Sequence, residues 1–297
     1  MNVNKEVQMV TKIDNGKEDL IVSFSGGRTS AFMCKWLLDN MQEKYNLYFI
    51  YANSSQEHPK TLEFVDACDK AFGLNLVWVE AVVTPEKGVA TSFVVVDYDT
   101  ASLSGNVFEE MVKKYTLPHL GAPHCTRELK TQPMHKWASA NGLKHAQWAL
   151  GIRVDEQRRI KKDPKFIYPL ASMKPMRKMD ILNYWKTMPF NLEIPEELGN
   201  CTWCWKKTLS KHMTNLENTP EIYDFPEYLE KTYPLSFRKK RSVMFREKRS
   251  TLDLKNIFKS SAKRFKDANW DGYEEDLCAE ECGSVIDLDE LIKEEEE

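Results

Sequence analysis

The stretch 20-LIVSFSGGRTSAFM-33 decides how the rest of the chain is read. Its apolar run stops at Ser25-Gly26-Gly27-Arg28-Thr29-Ser30, and an apolar pattern at helical spacing resumes at Ala31. A short apolar run closed by glycines is expected to be a buried strand, 20–25, and the spacing in 28-RTSAFMCKWLLDNM-41 predicts a helix. The same alternation continues outward. The segment 46-NLYFIYA-52 reads as a second strand, 59–72 as a helix opening on Pro59, and 75-NLVWVEA-81 as a third strand. Proline fits the first helical turn because the N–H it lacks would have no helical partner there. Residues 82–124 are less regular; 125–140 predicts a helix, 145-HAQWALGI-152 a strand and 175–187 a helix.

Strand–helix alternation of this kind requires right-handed crossovers and a mostly parallel sheet covered on both faces. The expected fold class is therefore α/β and Rossmann-like, a parallel sheet sandwiched by helices. Beyond residue 190 the alternation is lost; Trp, Cys, Lys and Arg dominate, and the chain closes on EEEE. The expected organisation is an extension over 1–19, an α/β nucleotide-binding domain over 20–190, and a mainly helical, Cys-containing region over 191–297 with a basic stretch and an acidic tail.

The bulk numbers agree with a globular protein. Of 297 residues, 42% are hydrophobic and 29% charged, enough apolar material for a core. The net charge of −3 does not by itself point to a polyanionic partner, so local charge has to be read. No apolar stretch approaches the roughly 18 residues of a membrane span, and the N-terminus has no apolar core of a secretory signal. A cytoplasmic protein is expected. The seven cysteines are odd in number and unevenly spaced, which favours reduced thiols, metal ligands or a catalytic thiol over a disulfide framework.

A loop leaving a parallel strand and entering a helix lies where such sheets bind ligands. Gly26 and Gly27 let the backbone turn tightly and approach a ligand. The N–H groups of the first helical turn, with the helix dipole, make an anion site. Ser25, Thr29 and Ser30 add hydroxyls and Arg28 adds charge. The structural alternative is a tight turn with a serine cap; the loop is no Walker A motif, since GxxxxGK[ST] is absent.

The chain resembles a known family at five places in order. SFSGGRTS resembles the SGGxxS pyrophosphate-binding loop of the N-type ATP pyrophosphatase superfamily. That superfamily includes phosphoadenylylsulfate (PAPS) reductases, adenylylsulfate (APS) reductases and nucleic-acid thiolation enzymes. The run 50-IYANSSQEHPKTLEFV-65 is similar to the reductase segment whose strand end cradles adenosine, here Ala52 and Asn53. The run 123-PHCTRELKTQPM-134 resembles the family's Cys-rich basic segment, and 150-LGIRVDEQRR-159 its G-x-R…R segment gripping phosphate and sulfate. Finally 280-EECG-283 resembles the Glu-Cys-Gly that carries the nucleophilic cysteine. The whole pattern looks most like PAPS reductase-like proteins encoded by bacteriophages, which implies the host cytoplasm.

The resemblance implies nucleotide contacts from Gly151 and from Arg127, Lys130, Arg153, Arg158 and Arg159. Guanidinium groups can fork onto phosphate or sulfate oxygens, and their alternative is a solvated basic face. Cys34 and Cys68 fall in amphipathic helices and are expected in the core. Cys201 and Cys204 form C-x-x-C, a spacing that lets two thiolates share a metal. Two assignments stand open. In one, Cys125, Cys201 and Cys204 hold a [4Fe-4S] cluster and Cys282 is the nucleophile. In the other, Cys201, Cys204, Cys278 and Cys282 form a zinc or cluster site with no thiol to spare.

The sequence departs from the family at three places: Thr126 follows Cys125 where the APS-type pattern has a tandem Cys-Cys, Ser284-Val285 follows Gly283 in place of an aliphatic residue and His, and Thr29 stands where ATP-cleaving members often carry an Asp suited to Mg²⁺. The segment 238-RKKRSVMFREKRS-250, with further basic residues to Lys266 and interleaved Phe245, Phe258 and Phe265, is either a nucleic-acid strip or a solvated helix face. The function expected from the resemblance is thiol-dependent reduction of PAPS or APS, with a thioredoxin-like reductant. Its alternatives are an ATP pyrophosphatase that adenylates an acceptor, and a nucleotide- or partner-binding protein without chemistry. Homo-oligomers fit any of them.

Overall fold

The strand Glu18–Ser23 (β1) places Leu20, Ile21 and Val22 out of contact with solvent. A strand buried on both faces belongs at the centre of a parallel sheet, and β1 sits there. In the computed structural model, which describes residues 15–233 and 243–261, β1 pairs in parallel with Tyr45–Asn53 (β2) on one side and Gln147–Ala149 (β5) on the other. Val77–Val82 (β3) continues the sheet beyond β2. Ser92–Val96 (β4) closes that edge antiparallel to β3, and Phe166–Ile167 (β6) closes the other edge beside β5. The order is β4-β3-β2-β1-β5-β6.

The crossover helices lie where the sequence predicts them. Arg28–Asn40 (α1) links β1 to β2, and Pro59–Phe72 (α2) links β2 to β3. α2 starts with His58 accepting a hydrogen bond from the Lys60 N–H and ends on Gly73 in the left-handed conformation, a common helix stop. The two faces of β1 feed different cores. Leu20 and Val22 pack with Met33, Leu37, Val65 and Trp185, whereas Ile21 packs with Ile50, Val79, Trp137 and Trp148. That is the period-2 alternation of a strand with helices above and below.

Three segments depart from the expectation. The irregular 82–124 contains β4 and a helix, Asn106–Tyr115 (α3). The helix expected over 125–140 is interrupted: His124–Thr126 (α4) passes into a π-turn, Arg127–Thr131, before Gln132–Ala140 (α5). Pro133 near the start of α5 has no N–H for the ladder, and the wider turn, closed by Gln132 N–H to the Arg127 carbonyl, absorbs the gap. The strand expected over 145–152 is only three residues long, because the backbone turns away at Leu150, where the Ile152 N–H bonds back to its carbonyl.

After β5 come short helices Pro169–Ser172 (α6) and Lys178–Lys186 (α7), and then Leu209–Asn218 (α8), Asp224–Thr232 (α9) and Thr251–Ser261 (α10). Past Ile167 the described residues form no further strand of the sheet. α8, α9 and α10 gather with α3 around Trp203, Trp205, Met213, Tyr223 and Phe245. No helix among the described residues is long and apolar enough to cross a membrane. Cys278, Cys282, 280-EECG-283, the basic residues Arg238–Arg241, and Lys263, Arg264, Phe265 and Lys266 lie outside the described residues.

Inside this third core, His212 is buried, with Nδ1 2.7 Å from the Tyr223 hydroxyl. Burial pushes its pKa down to about 3, and the nearby Lys207, Arg246 and Arg249 charges act in the same direction. The ring is therefore neutral in the folded chain, while in the unfolded chain it takes up a proton near its ordinary value of 6.5. A histidine with a depressed folded pKa contributes full stability above that ordinary value and loses it as the pH falls toward the folded one. Acidification from pH 7 to 5 should cost about 2 kcal/mol through this residue. The check is urea unfolding at both pH values, where His212→Gln should show a correspondingly smaller drop.

Candidate functional site

Two successive crossovers carry the chain from β1 to β2 to β3, and it then returns to the opposite side of β1 for β5. The crevice outside the carboxyl ends of β1 and β5 is thus a topological switch point, the usual ligand position in such sheets. A cavity of about 140 Å³ opens there. Its floor is the Ser25–Ser30 loop, one wall is Leu150–Arg153, and apolar side chains of Ile181, Leu182, Leu192 and Ile194 form the other.

The loop is held by its own atoms. Gly26 has φ +83°, and a Cβ built there would stand 2.9 Å from Thr61 Cγ2 and 3.2 Å from the Tyr51 ring. Ser30 Oγ takes the Ser25 N–H at 3.1 Å, lies 2.9 Å from Ser25 Oγ, and donates to the Gly27 carbonyl at 3.0 Å. The first backbone bond of α1 runs from Ala31 to the Gly27 carbonyl, so the N–H groups of the first turn point off the helix end toward the cavity. With the helix dipole they are arranged so that they could receive an anion. Gly151 lies against this turn: a Cβ on it would come 3.2 Å from Ser30 Cα.

The arginines expected at the ligand part company. Arg153 is buried and reaches the loop, donating from Nη1 to Thr29 Oγ1 at 3.1 Å; Asp155 (3.0 Å) and Glu156 (3.6 Å) steady it. Arg159 also lines the cavity, paired with Glu156 at 2.5 Å. Arg158, on the 3₁₀ turn Val154–Arg159 that also carries Arg159, is exposed and outside the cavity lining. Arg28 lines the cavity, but its guanidinium bonds to Asn191 Oδ1 at 2.7 Å and to the Leu192 carbonyl. Burial lowers its pKa, and Glu196 opposes that. Arg28 thereby ties the loop to residues 191–192.

Ala52, Asn53, Arg127 and Lys130 stand apart from this cavity. Asn53 donates to Glu80 Oε1 (2.6 Å) and to the Ser102 carbonyl (2.7 Å). Arg127 pairs with Glu128 at 2.6 Å and lies over the Tyr115 ring. Lys130, paired with Glu57 at 3.3 Å, faces a second, smaller cavity of about 10 Å³.

That smaller cavity collects Cys125, Cys201 and Cys204, all buried, beneath Trp203 and Trp205. Trp205 Nε1 donates to Cys125 Sγ at 3.4 Å, and Ser54 Oγ lies 3.3 Å from Cys201 Sγ. The Cys201–Cys204 turn is closed by its own N–H···O bond at 3.0 Å and held from below by Lys207 Nζ on the Gly199 and Cys201 carbonyls. Three thiols suit a thiophilic metal in kind. Their placement does not: among the described residues no group of three or more His, Cys, Asp or Glu could hold a metal ion, and the room is about that of one water. Cys34 and Cys68 are core residues with thiol pKa values pushed up by burial.

In the described part of the basic stretch, Phe245 is buried and Phe258 is half-buried against the same core. Lys255 pairs with Glu227 and Asp224. The residues that sequence reasoning missed are Lys178 and Glu196, which line the main cavity and pair with each other. No residue pattern marks these two; each arrives from a distant segment. Glu57, which follows β2 within the 50–65 run, instead sits beside the thiols, holding Ser54 and Lys130.

A mainly parallel α/β sheet with a glycine loop at its switch point defines the class, and comparison with known proteins supplies the family. Residues 19–186 match the phosphoadenosine phosphosulfate reductase domain, and the chain belongs to that family. It is also 37% identical over 196 residues to an uncharacterized nin region protein, ORF290, of Escherichia phage lambda, an alignment covering 64% of this chain and 67% of the phage protein.

Gly26→Ala should destabilise the chain by about 1–3 kcal/mol, because it adds both left-handed strain and the Thr61 contact. Thr61→Ala in that background removes the contact but not the strain, so denaturant unfolding should show partial recovery.

Proposed function

We propose that the chain is an adenine-nucleotide-dependent enzyme that reduces PAPS or APS to sulfite with thiols. The observation that carries this reading is the anion-ready turn at Gly26–Ser30 with Arg153 fastened to Thr29 beside it. The α1 N-terminus would take the phosphate or sulfate oxygens. The apolar wall of Leu192, Ile194 and Ile181 would take the adenine ring, which has little charge and a large face.

In the proposed reaction the Cys282 thiolate attacks the sulfur of the sulfonucleotide. A sulfur–sulfur bond forms, and the sulfur–oxygen bond to the nucleotide phosphate breaks, its electron pair leaving on the phosphate. A thioredoxin-like dithiol then attacks the Cys282 sulfur and is oxidised to a disulfide, releasing sulfite and regenerating the thiolate. Positive charge near an attacking thiolate lowers its pKa and screens it from an anionic substrate; Arg153 and Arg159 would supply that charge. Because the three buried thiols do not fit a metal as placed, no step runs through one.

Cys282→Ser should abolish dithiol-dependent sulfite release while leaving nucleotide affinity unchanged. Sulfite assay and calorimetry on the same preparation check both. Sulfite release retained in that variant would remove the reductase mechanism, and Mg²⁺-dependent pyrophosphate release from ATP would replace it with nucleotide transfer to an acceptor.

A further inference from the structure

Four cations line the main cavity: Arg28, Arg153, Arg159 and Lys178. Each already has a protein acceptor. Arg28 holds Asn191 and the Leu192 carbonyl, Arg153 holds Asp155 and Thr29, and Arg159 holds Glu156. Lys178 holds Glu196, with Nζ 2.9 and 3.0 Å from its two carboxylate oxygens. Glu196 differs from Asp155 and Glu156 in lining the cavity itself, and among the described residues it is the one acidic group to do so. It also takes Lys211 at 3.2 Å and lies close enough to raise the pKa of Arg28.

An acidic side chain in the wall of an anion-binding cavity affects which anions fit. The loop and the α1 N-terminus form one anion site, built from backbone N–H groups and the helix dipole, and it needs no further cation. A second phosphate on the same ligand must find charge on the remaining walls. There Arg159 and Lys178 carry Glu156 and Glu196, and an incoming phosphate meets the Glu196 carboxylate as a like charge.

We propose that Glu196 is a specificity determinant. By holding Lys178 and Lys211, it makes the cavity select an adenine nucleotide with a single 5′ anionic chain over one that carries an additional 3′-phosphate. The substrate class is then the 5′-phosphosulfate without the 3′-phosphate. This inference rests on the nucleotide reading of the cavity.

The test is calorimetric titration of the full chain with two unreactive nucleotides, adenosine 5′-monophosphate and adenosine 3′,5′-bisphosphate. The wild-type chain should bind the monophosphate at least as tightly as the bisphosphate. Glu196→Gln, at an exposed position, should tighten the bisphosphate about tenfold and change the monophosphate by less than about threefold, the first figure being one freed charge-assisted contact. Adding Lys178→Gln to that variant should cancel the gain, whereas an effect on folding alone would survive it. Tighter wild-type binding of the bisphosphate, or an unchanged ratio of the two affinities in Glu196→Gln, overturns the proposal and leaves the nucleotide reading intact. A folded chain that binds neither nucleotide overturns the nucleotide reading, and the proposal with it.

Discussion

The turn at Gly26 is the constraint to which the rest of the site is fitted. β1 must end and α1 must begin within four residues, and the backbone manages this only by passing through φ +83° against Thr61 and Tyr51. Once it does, the helix N-terminus faces the crevice beside β5, and Gly151 can close to van der Waals contact with Ser30. Arg153, two residues on, then falls within reach of Thr29. The hydroxyls of Ser25 and Ser30 serve first to lock this turn to itself, which makes the loop rigid before any ligand arrives. Preorganised donors of this kind bind anions without having to be ordered at the moment of binding.

The two cavities are joined by one piece of chain. Residues 192–200 wall the main cavity, and Cys201, the next residue, walls the thiol cavity. Arg28 anchors the start of that piece, Glu196 its middle and Lys207 its end. Glu57, just after β2, accepts from Ser54 and Lys130 and forms a β-bridge with Cys201. The cysteines are thus placed by the same sheet end that places the loop.

The alternating strands and helices over 20–81 were legible because burial on both faces leaves continuous apolar runs, and because Pro59 marks the start of α2. The loop was legible for the same reason: glycines at a strand–helix join have few other uses. β4 was not, since SFVVV pairs only with β3 at an edge, where one partner decides its fate. The π-turn was hidden as well. Its local pattern is helical, and only the missing N–H of Pro133 disturbs it.

By itself the sequence determined the α/β class, the position of the glycine turn and the candidate cysteines, because each depends on contacts within a few residues. Tertiary structure alone decided which charges meet. Arg28 faces Asn191, Lys130 faces Glu57, Arg127 faces Tyr115, and Glu196 meets Lys178 in the cavity wall. A guanidinium or ammonium group reads the same in sequence whether it awaits a ligand or already holds a carboxylate. The difference lies in long-range packing, and packing brings Cys125 next to Trp205 across eighty positions of chain.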